Sequence, residues 1–399
     1  MTASPPVADA IAKIGDLAAA VGIRRVHLLS WRDLADVEAG GSEVHAAQVA
    51  HHWAQAGLEV TWRTSFAQGH PPRVVRDGYR VIRRAGRYLV FPRAVFSEIT
   101  GRHGPADALL EIWNGMPFFS PLWFRGPKIV MLHHVHAEMW RMVLGDDAPW
   151  LATLGNRLEG TVAPRVYRRS RVVTPSASSK QEIVDLLGLR PERITVVNNG
   201  VDACFSPGGR KARAPLVIAV GRLVPVKRYD LLLRAVAEAR TAVPNLSLTI
   251  VGEGYERPRL DEVVRDLDAE RWVTFAGRLS PDALVRLYRS AWVVASASAR
   301  EGWGLSLTEG AACGTPSVAT RIAGHADAVA DGRSGLLVDG TPAALGAGIA
   351  KVVTDDALRA RLGAGAVEHA SRFSWEATAF GIMQALAEEA ARTRTPRSH

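Results

Sequence analysis

Short runs of β-branched and apolar residues alternate with stretches of helical periodicity along almost the whole chain, and this alternation restricts the fold more than any other feature. "RRVHLLS", "LEVTWRTS", "KIVMLHH", "RVVTPS" and "RITVVNNG" read as strands of a first half, and "LVIAVGRL", "LSLTIVGEG", "RWVTFAGRL", "WVVASAS" and "TPSVAT" as strands of a second. Strands separated by helices pair in parallel, because a parallel pair needs a long crossover, and the product is a sheet wrapped by helices. At 399 residues the chain exceeds what one hydrophobic core normally fills, so two such α/β units are expected. Between the halves, "NNGVDACFSPGGRKARAP" has no apolar period and reads as a linker near residues 200–215. The domains are expected at 1–200 and 201–374, followed by an amphipathic helix over about 375–390 and a basic flexible tail at 391–399.

No apolar run approaches the roughly 20 residues that span a bilayer. The first residues, with Asp16 at the head of a short apolar patch and two arginines after it, suit a secretory signal poorly, so a cytoplasmic location is expected. The two cysteines, Cys204 and Cys313, lack metal-ligand spacing and read as buried small hydrophobes. A net charge of +9 favours an anionic partner without choosing among nucleic acid, an acidic membrane surface and a phosphorylated small molecule.

In an open parallel sheet the ligand crevice lies beyond the carboxyl ends of the strands. Gly40, Gly41 and Ser42 follow the first strand and open a helix, where close backbone approach and free amides suit a phosphate; a tight turn capped by Ser42 is the plainer reading. His133 and His134 follow "KIVML". Arg222 and Lys227 follow "LVIAV" on one loop, a fork and a compact charge that suit a diphosphate, although most basic pairs are solvated surface charge. "VGEGYER" places Arg257 where a dinucleotide fingerprint needs its third glycine, so it reads as a turn. In "REGWGLSLTEGAACGTP", Glu301 ends a strand loop, Gly302 and Gly304 free the backbone around Trp303, and a helix beginning near Leu305 aims unpaired amides at an anion. Glu309, in the early turns of that helix, can accept hydrogen bonds from vicinal hydroxyls such as those of ribose.

Taken together, these residues resemble the retaining GT-B glycosyltransferases of family 4. The resemblance rests on the E-x(7)-E pair Glu301 and Glu309, "GRLVPVKRYDLLL", "ACGTPSVA" at 312–319, "DGRSGLLV" and the early "GGSEVHAAQVA", in the family's order and across nearly the whole chain. It implies two Rossmann-like, doubly wound domains facing each other across a cleft, with the terminal helix crossing back to the first domain. It implies a nucleotide sugar on the second domain: Arg222 and Lys227 on the diphosphate, the amides after Gly302 on the phosphates, Glu309 on the ribose, Glu301 on the transferred sugar. Gly41 approaches the donor from the first domain, and His133 corresponds to the family's active-site histidine, with His134 and His136 as neighbours that compete for the role. Base contacts are expected near Arg278 and Leu279. Asp327 stands where the family often carries glutamate.

Cleaving a sugar–phosphate bond builds negative charge on the departing diphosphate, and Arg222, Lys227 and the helix amides can stabilise it, so neither metal nor cofactor is expected. The transferred group is expected to be a hexose, GDP-mannose being preferred on family analogy with UDP-sugars as the other choice. The acceptor is expected to be a glycan, lipid-linked or phosphorylated. Residues 73–93 carry seven arginines against one aspartate, with Tyr79, Tyr88 and Phe91 among them, a composition that suits an anionic membrane face or a phosphorylated acceptor, or else a solvated strand-loop face. Rival readings are a nucleic-acid-binding protein using that patch, for which no recognition motif is present, a catalytically dead nucleotide-binding module, and a GT-B epimerase or phosphorylase.

Overall fold

The structure, a computed structural model, describes residues 7–136 and 149–394. The chain divides into two compact units, Met1–Gly200 with Trp375–His399, and Val201–Ser374.

The first unit is built on β1 (Arg25–Leu29), β2 (Glu59–Thr64), β3 (Arg73–Arg76), β4 (Tyr79–Arg83), β5 (Ala108–Trp113), β6 (Lys128–Leu132), β7 (Arg171–Thr174) and β8 (Ile194–Val196). They form one sheet in the order β3-β4-β2-β1-β5-β6-β7-β8, parallel except for the β3–β4 hairpin at its edge. Side chains of successive strand residues leave the sheet on opposite faces, and both faces are covered. Val26, Leu28, Leu110, Ile112, Ile129 and Met131 join Ile14, Trp53, Ile382 and Leu386, from helices at Val7–Ala20, Gly41–Gln55 and Trp375–Arg394. Their neighbours Leu29 and Leu109 join Val90 and Phe91 of a helix at Val90–Ile99, while Trp113, Val130 and Leu132 join Tyr167 and Ile183. Each aliphatic side chain fully buried this way contributes roughly 1.5–3 kcal/mol.

The second unit repeats the plan with six strands, β9 (Leu216–Val220), β10 (Ser247–Val251), β11 (Val273–Gly277), β12 (Val293–Ser296), β13 (Ser317–Thr320) and β14 (Gly335–Val338), all parallel in the order β11-β10-β9-β12-β13-β14. Val217, Ala219, Leu248 and Ile250 face Leu232, Val236 and Ile349 on one side; Ile218, Val294 and Ala319 face Val285, Tyr288 and Leu307 on the other. Among the described residues no helix is long and apolar enough to cross a membrane.

The structure corrects the sequence reading at several places. The terminal helix runs Trp375–Arg394, so residues 391–394 are helical rather than tail, an exposed last turn in which Arg392 donates back to Glu389 through Nε at 2.9 Å; residues 395–399 lie outside the described residues. β3, β4, β5 and β14 had no counterpart among the expected strands: β5 hides a charged Glu111 inside its apolar run, and β3 and β4 are rich in arginine. Cys204 is exposed, and only Cys313 is buried.

The arginine-rich stretch is not one surface. Tyr79 and Phe91 belong to the core. Arg83 is buried and grips Asp33, in the loop after β1, through Nε at 3.1 Å and a second nitrogen at 2.6 Å. Arg76 reaches the same carboxylate at 3.6 Å. Arg87 and Arg32 both pair with Glu38 and both lie 4.8 Å over the Trp31 ring. Three of the seven arginines thus hold the loop that leads into the Gly41–Gln55 helix. Removing one partner of a buried ion pair leaves the other charge desolvated and uncompensated. Asp33→Ala is therefore expected to destabilise the first unit by about 3–5 kcal/mol, read as a lowered urea midpoint for its tryptophan fluorescence, whereas Arg73→Ala, at an exposed position, leaves the midpoint unchanged.

Candidate active site

Strand order locates the crevice in each unit. In the second, β9 neighbours β10 on one side and β12 on the other, so the chain winds away in opposite directions and the loops after β9 and β12 part above the sheet. Those loops carry Arg222 and Lys227 on one side and Glu301 on the other. The Ala299 amide donates to the Val226 carbonyl at 2.8 Å, tying them together. Across this junction Lys227 Nζ and Glu301 Oε1 form an ion pair, and Ser298 Oγ donates to the same carboxylate oxygen at 2.8 Å. Burial would raise the Glu301 carboxyl, but the Lys227 ammonium, His325 and the two hydrogen bonds outweigh it and hold it at about 2. Glu301 is a carboxylate at any physiological pH.

The backbone around Glu301 is moulded by close approach. A Cβ on Gly324 would stand 2.4 Å from the Glu301 carbonyl oxygen, so only glycine lets the 321–325 turn lie against this loop. His325 follows it, buried, its Nδ1 2.8 Å from the Thr320 carbonyl oxygen and its Nε2 3.3 Å from Ser296 Oγ. The "VGEGYER" turn is explained the same way: a Cβ on Gly254 would stand 2.2 Å from the Leu223 carbonyl oxygen, and the turn braces the Arg222 loop. Trp303 is buried edge-on against Phe373 at 5.0 Å, so its side chain serves the core and only its backbone is left for a ligand. The helix expected near Leu305 runs Leu305–Ala312, with Gly304 before it and Gly302 buried beneath.

Glu309 lies in a contrasting environment. Burial raises its carboxyl to about 7, partly opposed by the Tyr288 hydroxyl, which donates to Oε2 at 2.8 Å, and reinforced by nearby Asp202. Arg278 and Leu279 follow the edge strand β11, and Arg278 pairs with Glu253 at 3.2 Å on the exposed rim.

In the first unit the winding reverses between β1 and β5. Gly41 is the first residue of its helix, whose start is closed by the Gly40 amide donating to Glu43 Oε2 at 2.7 Å. Asn114, just after β5, donates to Ser42 Oγ at 3.3 Å across the junction. Beneath it, buried Glu111 accepts from the amides of Phe118 at 2.6 Å and Ser120 at 3.2 Å and from the Tyr167 hydroxyl at 2.5 Å, holding the post-β5 loop in shape. The three histidines separate. His133 packs against His45 with ring centroids 4.9 Å apart, whereas His134 and His136 stack on each other at 4.8 Å, and the His136 amide donates to Glu159 at 3.0 Å.

Each unit therefore gathers its expected residues at one sheet end, Lys227 with Glu301 in one and Gly41, Ser42 and His133 in the other. Sequence reasoning missed His45, Asn114, Tyr288, Ser298 and His325. His45 was within reach, four residues beyond Gly41 and hence on the same helical face; the others act through pairings that no spacing announces.

The family profile for Glycosyl transferases group 1 matches residues 204–369, and that for Glycosyltransferase Family 4 matches residues 39–205. A D-inositol 3-phosphate glycosyltransferase of Acidothermus cellulolyticus is 34% identical, the match covering 90% of this chain and 88% of that one. The chain belongs to the group 1, family 4 glycosyltransferases. A second relative of this glycosyltransferase, from Stackebrandtia nassauensis and bearing the same name, is 37% identical over 88% of this chain and 87% of its own. Among solved structures, sucrose-phosphate synthase from Thermosynechococcus elongatus superposes with a TM-score of 0.77 at 21% identity, covering 90% of this chain and 98% of that one. Anabaena HepE in complex with UDP and glucose gives 0.71 at 19%, covering 92% and 100%. These establish the GT-B fold of two Rossmann-like domains for the enzyme.

The Glu309 environment makes a titration testable in the glycosyltransferase. Since the Tyr288 hydroxyl favours the ionised carboxylate, Tyr288→Phe is expected to move Glu309 upward from about 7 by roughly one unit. Carboxyl-carbon NMR across neutral pH reads this directly; an unmoved midpoint would show that the hydroxyl does not govern the charge.

Proposed function

We propose that this glycosyltransferase moves a hexose from a nucleoside diphosphate sugar to a hydroxyl of a phosphorylated or glycan acceptor, with retention at the anomeric carbon and without a metal ion. The observation that carries the reading is the Lys227–Glu301 pair at the strand-order switch of the second unit, beside the start of the Leu305–Ala312 helix. Charge leaves the sugar with the diphosphate, and stabilisation must be waiting there before it departs. Lys227 supplies a compact cation, Arg222 a guanidinium, and the helix start its free amides. Glu301, ionised throughout the working pH range, accepts hydrogen bonds from the sugar hydroxyls and offsets positive charge growing at the anomeric carbon. Glu309 accepts from the ribose hydroxyls, which its ionised form does better. His133 serves the acceptor hydroxyl from the first unit, and Gly41 leaves room for a ligand at its helix start. Arg278 and Leu279 meet the base.

A GDP- or UDP-hexose suits this site, GDP-mannose on family resemblance and UDP-glucose on the ligands of the HepE structures. The name shared by the relatives supports a phosphorylated polyol as acceptor, and the net charge of +9 agrees with an anionic one. The test is thermal shift with UDP, GDP and ADP sugars in EDTA, followed by product analysis of the anomeric configuration. The true donor at 100 times its Kd should stabilise the fold by about 2.7 kcal/mol, and Lys227→Ala should abolish that gain. Equal silence from every donor, or nucleotide release without a new glycosidic bond, refutes the proposal.

A second reading concerns where the enzyme works, and the helix Val90–Ile99 favours it. Leu89, Phe96 and Ile99 are exposed along one face, with exposed Tyr88 beside them, and Arg93 and Arg102 flank the row, Arg102 lying 5.0 Å over the Phe96 ring. Exposed apolar side chains fringed by arginine fit the cytoplasmic face of an anionic membrane. Phe96→Ser with Leu89→Ser is expected to reduce flotation with anionic vesicles at least tenfold while leaving donor-induced stabilisation intact; unchanged flotation rejects this surface.

A further inference from the structure

A row of hydrogen-bonding groups runs inward from Glu301 and is one proton short. Ser298 Oγ donates to Glu301 Oε1 at 2.8 Å, Ser296 Oγ lies 3.2 Å from Ser298 Oγ, and His325 Nε2 lies 3.3 Å from Ser296 Oγ. The far ring nitrogen, Nδ1, stands 2.8 Å from the Thr320 carbonyl oxygen, which can only accept. Thr320 Oγ1, 3.5 Å from Nδ1, gives its own proton to the Ser298 carbonyl at 2.7 Å. Nδ1 therefore carries a hydrogen, and in a neutral ring Nε2 is bare. The three contacts of the row then share two hydroxyl protons, and one contact is left without a hydrogen. Only an imidazolium, with a second N–H at Nε2, fills all three.

Two charged groups act on this buried ring, Glu301 from the loop after β12 and Lys227 from the loop after β9. Ser296, Ser298, Thr320 and the Gly304 backbone, which also pack against it, are uncharged. Burial lowers His325, Glu301 and the Thr320 carbonyl raise it, and Lys227 lowers it. While Lys227 is paired with Glu301, the two largely cancel at the ring. A diphosphate that takes the Lys227 ammonium brings negative charge to the same place and leaves Glu301 without its partner. Both changes favour a cation at His325.

We propose that donor binding draws one proton from solvent onto His325 Nε2 by way of the Ser298 and Ser296 hydroxyls, so that an imidazolium beneath Glu301 replaces the ammonium engaged by the diphosphate. This rests on the reading of Lys227 as the diphosphate's cation. One hydrogen ion is consumed and one positive charge gained; each hydroxyl takes a proton and passes one on. Nε2 then donates to Ser296, Ser296 to Ser298 and Ser298 to Glu301, and the carboxylate stays ionised and held through Oε1. His325, 0% exposed, touches no substrate and is a positioning residue for Glu301. A midpoint that rises on binding adds donor affinity below the free-enzyme midpoint, and that gain is lost as pH rises through the bound one. Glu309, at about 7, works in the opposite sense, since its ionised form serves the ribose, so the two must be read separately.

The experiment follows the His325 ring nitrogens by NMR against pH, with and without saturating UDP-glucose or GDP-mannose, whichever the thermal-shift panel selects. The signal is assigned by its loss in His325→Gln and its displacement in Ser296→Ala. A glutamine amide can donate to Thr320 and accept from Ser296 but takes up no proton. The His325 midpoint is expected to rise by about one unit or more on donor binding. At the pH midway between the two midpoints, calorimetry in two buffers of different ionisation heat should show the wild type taking up about half a proton more than His325→Gln. Across that interval the wild type's donor Kd should improve about tenfold relative to the variant's as pH is lowered. A midpoint unmoved by a donor that stabilises the fold overturns the inference and leaves the donor site standing, as does a His325 already doubly protonated at neutral pH without donor. A donor that stabilises Lys227→Ala as well as it does the wild type removes both.

Discussion

Parallel strands cannot be joined by a tight turn. Each pair needs a crossover long enough to hold a helix, and the crossover is right-handed, so the helix lands on a face chosen by the direction in which the next strand is laid. In both units the chain lays strands one way from a central strand and then returns to the other side, at β1/β5 and at β9/β12. Loops at these reversals diverge, and the gap between them is where backbone amides and side chains can meet a ligand without competition from the core. Lys227 and Glu301 face each other across one such gap, and Asn114 and Ser42 across the other. Strand order places these pairings before any single residue is chosen.

Within those gaps, burial determines what each ionisable group can do. Glu301 and Glu309 sit eight positions apart and have the same side chain, but one is paired with an ammonium and the other with a neutral hydroxyl. The first is held ionised at about 2 and the second is raised to about 7. Environment separates two identical carboxyls into distinct charge states here. Glu111, raised by burial, has a third role: its hydrogen bonds shape the loop after β5.

The arginine-rich stretch shows where a linear reading goes astray. Composition places seven cations and three aromatics together and suggests a single sticky face. Strand pleating distributes them instead, because alternate residues leave the sheet on opposite sides and the Val90–Ile99 helix turns Phe91 inward. Arg83 and Arg76 become braces for Asp33, and the aromatics divide into core members and exposed Tyr88. What survives as surface is a different group, with Leu89, Phe96 and Ile99, none of which stood out by composition.

The α/β class, the two units, the linker, the loop positions of Lys227, His133 and Glu301 and the helix position of Glu309 follow from sequence alone, because the period of apolar residues and the punctuation by glycine and proline are local properties that a linear chain displays. The motif order was enough to name the family. Partnerships belong to the tertiary structure: Tyr288 with Glu309, Ser298 with Glu301, Gly324 beneath the Glu301 carbonyl, His45 against His133. These join residues from 3 to nearly 90 positions apart along the chain, and only the superposition of strands from distant segments decides which side chains are desolvated together, and so which of them hold a charge.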